Sequence, residues 1–199
     1  MTAVSSAIGR AAGLAMFIAT CVVVGLGCAN ASKRAEAVVY ADDIPTAYTP
    51  SGGWRGETPP PVLAACTEPL AAGAADLRGV WKAYAVEQGG EPVTNHPLNE
   101  HVERIEQCGD RVVITSEPVI HDMRADGVLD HGVNDVAAAN FTPIRVAAVF
   151  SKGRLELYPG DVQPGAAPLV TREIVDGELI LNYVVFKVTM RRMDPAAGS

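Results

Sequence analysis

Residues 175–192 read VDGELILNYVVFKVTMRR, and they decide the fold class. Asp176-Gly177 is hairpin chemistry: a tight I′ turn needs a positive φ at both central positions, which Asp tolerates and Gly adopts freely. After the turn, Leu179, Leu181 and Tyr183 share one face at period two, and Phe186, Val188 and Met190 repeat the alternation on the following run. No comparable stretch in the chain repeats at 3.6 residues.

Upstream of this hairpin the same texture continues back to Asp76: short β-prone runs separated by Gly, Asp and Pro. Strands are expected over 80–86, 101–108, 111–116, 119–124, 142–150, 154–158, 169–175, 178–183 and 185–191. Gly109-Asp110 and Lys152-Gly153 supply two further turns. Consecutive hairpins that close on themselves remove exposed sheet edges. The expectation is therefore an all-β domain over 76–194, an antiparallel up-and-down barrel of about 8–10 strands, with 195–199 as a tail. Ala83, Ala85, Ala147 and Val149 are expected to point inward, where their small size would leave room for a ligand.

The first 75 residues have a different character. Residues 1–10 end on Arg10 and carry no acid, and Ala11 to Gly27 is an unbroken run of apolar and small residues, so 1–27 reads as a signal peptide. Gly25-Leu26-Gly27-Cys28 resembles a bacterial lipobox, which implies that Cys28 carries a lipid, palmitate among its acyl chains, and becomes the mature N-terminus. Two alternatives stand beside it. Ala29-Asn30-Ala31 is an A-x-A site that would release a soluble secreted chain at Ser32, and Lys33-Arg34 after the apolar run could flank an uncleaved anchor. Residues 28–75 hold six prolines from Ala29 onward and no sustained period, which predicts a flexible tether. Tyr40, Tyr48 and Trp54 are unusual in such a segment and make it a candidate for docking a partner.

Of four cysteines, Cys21 leaves with the signal and Cys28 takes the lipid, so Cys66 and Cys108 remain to form a disulfide in an oxidising compartment. Formal net charge is −7, and −8 once residues 1–27 with Arg10 are removed. That acidity disfavours nucleic acid and anionic headgroups as partners through a broad basic surface.

Asp76-Leu77-Arg78-Gly79-Val80-Trp81-Lys82 opens the domain with a Gly-x-Trp, and Arg191-Arg192 ends its last strand. In this combination the domain resembles the calycins, that is, lipocalins and fatty-acid-binding proteins. The resemblance implies Gly79, Trp81 and Arg191 as barrel-closing residues, with the arginine packed across the indole, and a small apolar ligand in the interior. The chain departs from those families in three ways. Gln88 to Glu100, broken by Pro92 and Pro97, leaves no room for a helical lid. The Arg-x-Tyr carboxylate clamp is missing, since Arg191 is followed by Arg192 and Met193, and so is Thr-Asp-Tyr.

The densest cluster of chemistry-bearing residues is 120–135, with His121, Asp122, Asp130 and His131 as a candidate ligand or divalent-metal site. It is not an EF-hand, because Val133 stands where the bidentate Glu belongs. Gly-x-Ser-x-Gly and phosphate-cradling glycine loops are absent, so no catalytic residue and no cofactor is assigned. His96 and His101, beside a proline-rich loop, are expected to be exposed. The sequence thus points to a cell-envelope lipoprotein, membrane-held through its N-terminal lipid, whose barrel binds a small apolar molecule. The alternatives are a periplasmic or secreted barrel that binds a protein partner in the manner of protease inhibitors, and a metal-assisted enzyme built on the 121–135 loop.

Overall fold

The computed structural model describes residues 37–131, 135–160 and 162–193. The signal segment, Cys28 and the tail lie outside these. Twelve strands follow in order: β1 (Gly79–Gln88), β2 (Glu91–Pro92), β3 (Val102–Cys108), β4 (Arg111–Ser116), β5 (Val119–Arg124), β6 (Asp135–Val136), β7 (Pro143–Ile144), β8 (Val146–Ser151), β9 (Arg154–Pro159), β10 (Val170–Val175), β11 (Glu178–Tyr183) and β12 (Phe186–Arg192). The nine long runs expected from alternation all appear, within a few residues at their ends.

All pairings in the main sheet are antiparallel, in the order β5-β4-β3-β1-β12-β11-β10-β9-β8, with β2 hairpinned onto β1. The first strand thus pairs with the last, and the sheet curls until its two edges meet. An isolated bridge, Asp126 to Val149, and a 2.8 Å bond from Gly127 N–H to the Ala148 carbonyl join the end of β5 to β8. This nearly closes the barrel.

The interior is built by period two. Trp81, Ile105, Ile114, Leu155, Leu179 and Met190, each at most 1% exposed, belong to one cluster that spans the barrel. On β8 the interior positions are Val146 and Ala148 together with Phe150, so Ala147 and Val149 point to the other face. On β1 a register shift between Ala83 and Ala85 hands the interior from Ala83 to Val86. A one-residue error in register exchanges faces, which is why three of the four expected inward residues keep only partial or opposite roles. Large side chains from facing walls fill this space, in contrast to the roomy interior expected from four small residues.

Residues 37–75 are the main departure from expectation. The flexible tether is, from residue 37, a strap laid along the outer face of β3, β4 and β5, where Ala41 and Leu63 pack on Cys108, Val113 and Ile120. Polar anchors explain why a proline-rich segment without regular structure becomes ordered. All five guanidinium N–H groups of Arg111 are used: on the carbonyls of Ala41 (2.8 Å), Ile44 (2.6 Å) and Pro45 (2.8 Å), and on both carboxylate oxygens of Asp122 (2.8 and 2.6 Å). Asp122 also accepts from Ala47 N–H, and Glu106 from Val62 and Leu63 N–H. The Cys66–Cys108 disulfide, joining residues 42 apart, staples the strap to the end of β3.

Candidate functional site

Of the four residues singled out in the 121–135 segment, the structure places His121, Asp122 and His131 apart. His121 and Asp122 are neighbours on β5 and therefore face opposite sides of the wall. His121 looks inward, paired in register with the core residue Ile114. Asp122 looks outward into the Arg111 pair beneath the strap. His131 lies on a short 3-10 turn, with Nδ1 2.7 Å from Asp126 Oδ2, and borders with Asp122 a cavity of about 140 Å³. The cations there are engaged, Arg111 by Asp122 and Arg124 by Asp42 and Asp110. The placement of the Asp130 side chain is not described. Among the described residues no three His, Cys, Asp or Glu side chains converge as a metal site.

Inside the barrel, sequence inspection missed a polar group. Glu103 on β3 is fully buried, and both its oxygens are held by Arg172 on β10, at 2.9 and 3.0 Å. The two strands are separated by β1, β12 and β11 in the sheet, so the pair spans the interior. His101, expected to be exposed, adds its Nε2 at 3.3 Å. Burial by itself would raise the Glu103 carboxyl, but Arg172 and His101 outweigh it and hold the group at about 2. Burial, and then the field of Arg172, push His121 down to about 4, against an upward pull from Glu103. The interior cation is thus already occupied by a carboxylate of the chain itself. No local signal announces this, because Glu103 and Arg172 are 69 residues apart.

His96, likewise expected to be exposed, stacks on Phe186 with ring centroids 4.4 Å apart. The 3-10 turn Pro97–Glu100 follows it, and Leu98 packs onto the core. This short turn stands where sequence inspection found no room for a helical lid.

The larger space lies outside the wall. Between the strap at Trp54–Thr58 and the outer face of β1, β3 and β4 is a cleft of about 730 Å³. Its floor is Val80, Val102, Arg104 and Thr115, neighbours in register across three strands. Pro97 and Glu100 rise on one side and Glu117 and Pro118 on the other, and His101 reaches the rim. Trp54 is fixed by its Nε1–H donating to the Val119 carbonyl at 3.3 Å. The strap packs over Val113 and Ile120, and beside the cleft its Pro60 carbonyl accepts from Arg104 Nη2 at 3.0 Å. The volume falls within the range of small-molecule sites, and the lining is about as polar as it is apolar. Of its residues only Trp54 had been singled out in the sequence, as an aromatic unusual for a tether.

At the same end of β1, on its inner face, the closing motif takes shape. Trp81, 1% exposed, donates its indole N–H to the Leu77 carbonyl at 2.9 Å. The guanidinium over its ring belongs to Arg192, with Cζ 4.7 Å from the centroid. Arg191, the residue expected there, faces outward over Tyr84 at 4.0 Å. The pairing of Trp81 with Arg192 and Lys82 with Arg191 gives the reason: adjacent residues of one strand serve opposite faces. Gly79 sits at φ 147°, and a Cβ there would stand 3.2 Å from Arg192 Cζ, so the motif's glycine clears the path of the arginine. A first strand carrying this motif, paired with the last in a nearly closed antiparallel barrel, settles the fold type.

The fold is a nearly closed antiparallel β-barrel.

No family model matches the chain, and no curated protein matches it. Among solved structures the chain is similar to one titled "Human cRBP IV", with 18% sequence identity, covering 60% of this chain and 99% of that one at a TM-score of 0.40. The barrel of this chain carries a self-satisfied charge pair inside and a strap-covered cleft outside.

Proposed function

We propose that this is an exported, cell-envelope protein, anchored through a lipid on Cys28, whose calycin-like barrel binds a small amphipathic ligand in the cleft between strap and wall. The cleft itself carries the reading. It offers a volume of about 730 Å³ with apolar surface from Trp54, Val102 and Pro118 beside polar groups of the sheet, whereas the interior is filled by side chains and its cation by Glu103. Export is supported by the n-region and apolar run of residues 1–27, by the lipobox-like approach to Cys28, and by the Cys66–Cys108 disulfide, which persists in an oxidising compartment.

Native and denaturing mass spectrometry of the full-length gene product purified from bacterial membranes tests both parts. The expected result is an acylated N-terminus at Cys28 that disappears in Cys28→Ser, together with a small molecule retained in the native spectrum. Cleavage before Ser32 would refute the lipid anchor. A chain that carries no ligand and takes none up from a membrane extract would refute the binding reading.

A further inference from the structure

His101 stands where the buried charge pair meets the cleft. It lies two residues before Glu103, so both side chains leave the same face of the chain. Its Nε2 is 3.3 Å from the Glu103 carboxylate, and the residue also lines the cleft. Glu103 can only accept there. Burial would raise its carboxyl, but Arg172 and His101 hold it at about 2, and Arg172 grips both oxygens at 2.9 and 3.0 Å. An ionised carboxylate has no proton to give, so the ring proton sits on Nε2, and in the neutral imidazole Nδ1 is left as a lone-pair acceptor. Nδ1 has no hydrogen-bond partner among the described residues. The side chain is 17% exposed, and Nδ1 keeps accessible surface, unlike Nε of Arg104 and Oγ1 of Thr115, which are sealed within the floor.

The charged groups lining the cleft are already matched. Arg55 is paired with Glu117 at 3.7 Å, Glu100 with Lys82 at 3.1 Å and Arg104 with Glu106 at 3.5 Å, so an ionic head group finds no unpaired counter-charge. The indole N–H of Trp54 is spent on the Val119 carbonyl. We infer that Nδ1 of His101 is a hydrogen-bond acceptor for the ligand, which is therefore neutral, with an O–H or N–H head donating to this nitrogen and an apolar body along Val102 and Pro118 toward Trp54. This rests on the cleft being the binding site. Glu103 and Arg172 are positioning residues: from inside the wall they fix the tautomer and the ring, as a carboxylate behind a histidine does in oriented sites generally.

Long-range proton–nitrogen NMR of the isotope-labelled mature full-length protein, at about pH 8 and so above the ordinary imidazole value, reads the tautomer, with His101→Leu or His101→Gln to assign the signal. The expected spectrum shows His101 protonated at Nε2 and bare at Nδ1. The Nδ1 resonance is expected to move on addition of 4-phenyl-1-butanol and to stay in place with its methyl ether, which has no proton to donate. Titration followed by Trp54 fluorescence, with Trp54→Phe to assign the change, is expected to give the alcohol ~5–10-fold tighter binding than the ether. His101→Leu is expected to remove that difference while changing the ether by less than ~2-fold. The tautomer and the comparison of the two compounds are both read on the parent, so they decide the matter even if a variant does not fold. A proton on Nδ1 of the parent overturns the acceptor. Alcohol and ether bound alike also overturn it, and the cleft reading then stands. If neither compound binds, the acceptor falls, and the native spectrum decides whether the cleft reading falls with it.

Discussion

His121 shows how one side chain in the barrel wall makes stability depend on pH. Its folded pKa, about 4, lies below the ordinary 6.5 because burial and the Arg172 charge disfavour the imidazolium. A base whose folded pKa is depressed binds its proton more readily in the unfolded chain, so stability is lost as pH falls from about 6.5 to about 4 and this contribution is flat below that. The ring keeps some solvent access, and allowing for it the loss is about 2 kcal/mol. His121→Gln is expected to flatten the melting temperature over this window relative to the parent, as read by thermal unfolding followed by circular dichroism at a series of pH values. Glu103 acts lower down: its folded pKa of about 2 is also depressed, so its contribution is complete above the unfolded value near 4.5 and fades as pH drops through 2. The two windows meet near pH 4, which lets one titration separate them.

The strap is an element without regular secondary structure, held by charged anchors and a staple. Its backbone carbonyls at Ala41, Ile44 and Pro45 end on one guanidinium, and its far end is tied covalently to β3. Constraining a loop of this length in the unfolded chain is worth about 4 kcal/mol in the chain-entropy model. Reduction, or Cys66→Ser with Cys108→Ser, is therefore expected to lower the unfolding free energy obtained from urea titration by that order. Hydrogen exchange should quicken in residues 37–75 before it does in β11 and β12, because the strap has no ladder of its own. Equal quickening in both regions under reducing conditions would contradict a separately releasable strap.

At the scale of the whole molecule, the barrel couples strands that are distant in the sheet through Glu103 and Arg172. Removing one partner leaves a buried charge uncompensated, which costs about 3–5 kcal/mol, whereas replacing both by apolar residues is near neutral or stabilising. Glu103→Gln alone is accordingly expected to be strongly destabilising in urea unfolding, and Glu103→Met with Arg172→Met to restore the stability of the parent. If the double variant is as weak as the single, the pair contributes packing that Met cannot replace. The same pair is satisfied within the interior, while the ligand-sized cleft lies on the outer face.

The sequence by itself determined the strands and the fold class. Alternation at Leu179, Leu181 and Tyr183, and at Phe186, Val188 and Met190, with Asp176-Gly177 between them, is local information that needs no knowledge of the rest of the chain. The Cys66–Cys108 pair was legible for a similar reason, since counting thiols leaves few combinations. Register was not legible. Whether Arg191 or Arg192 lies over Trp81 depends on a one-residue offset, and on β8 the same offset turned Ala147 and Val149 away from the core. The cleft and the Glu103–Arg172 pair were decided by tertiary structure alone. Their members are brought together by barrel closure and by a strap whose order comes from Arg111, Asp122 and Glu106 across 40 residues or more, and no periodic signal marks such long-range satisfaction of polar groups.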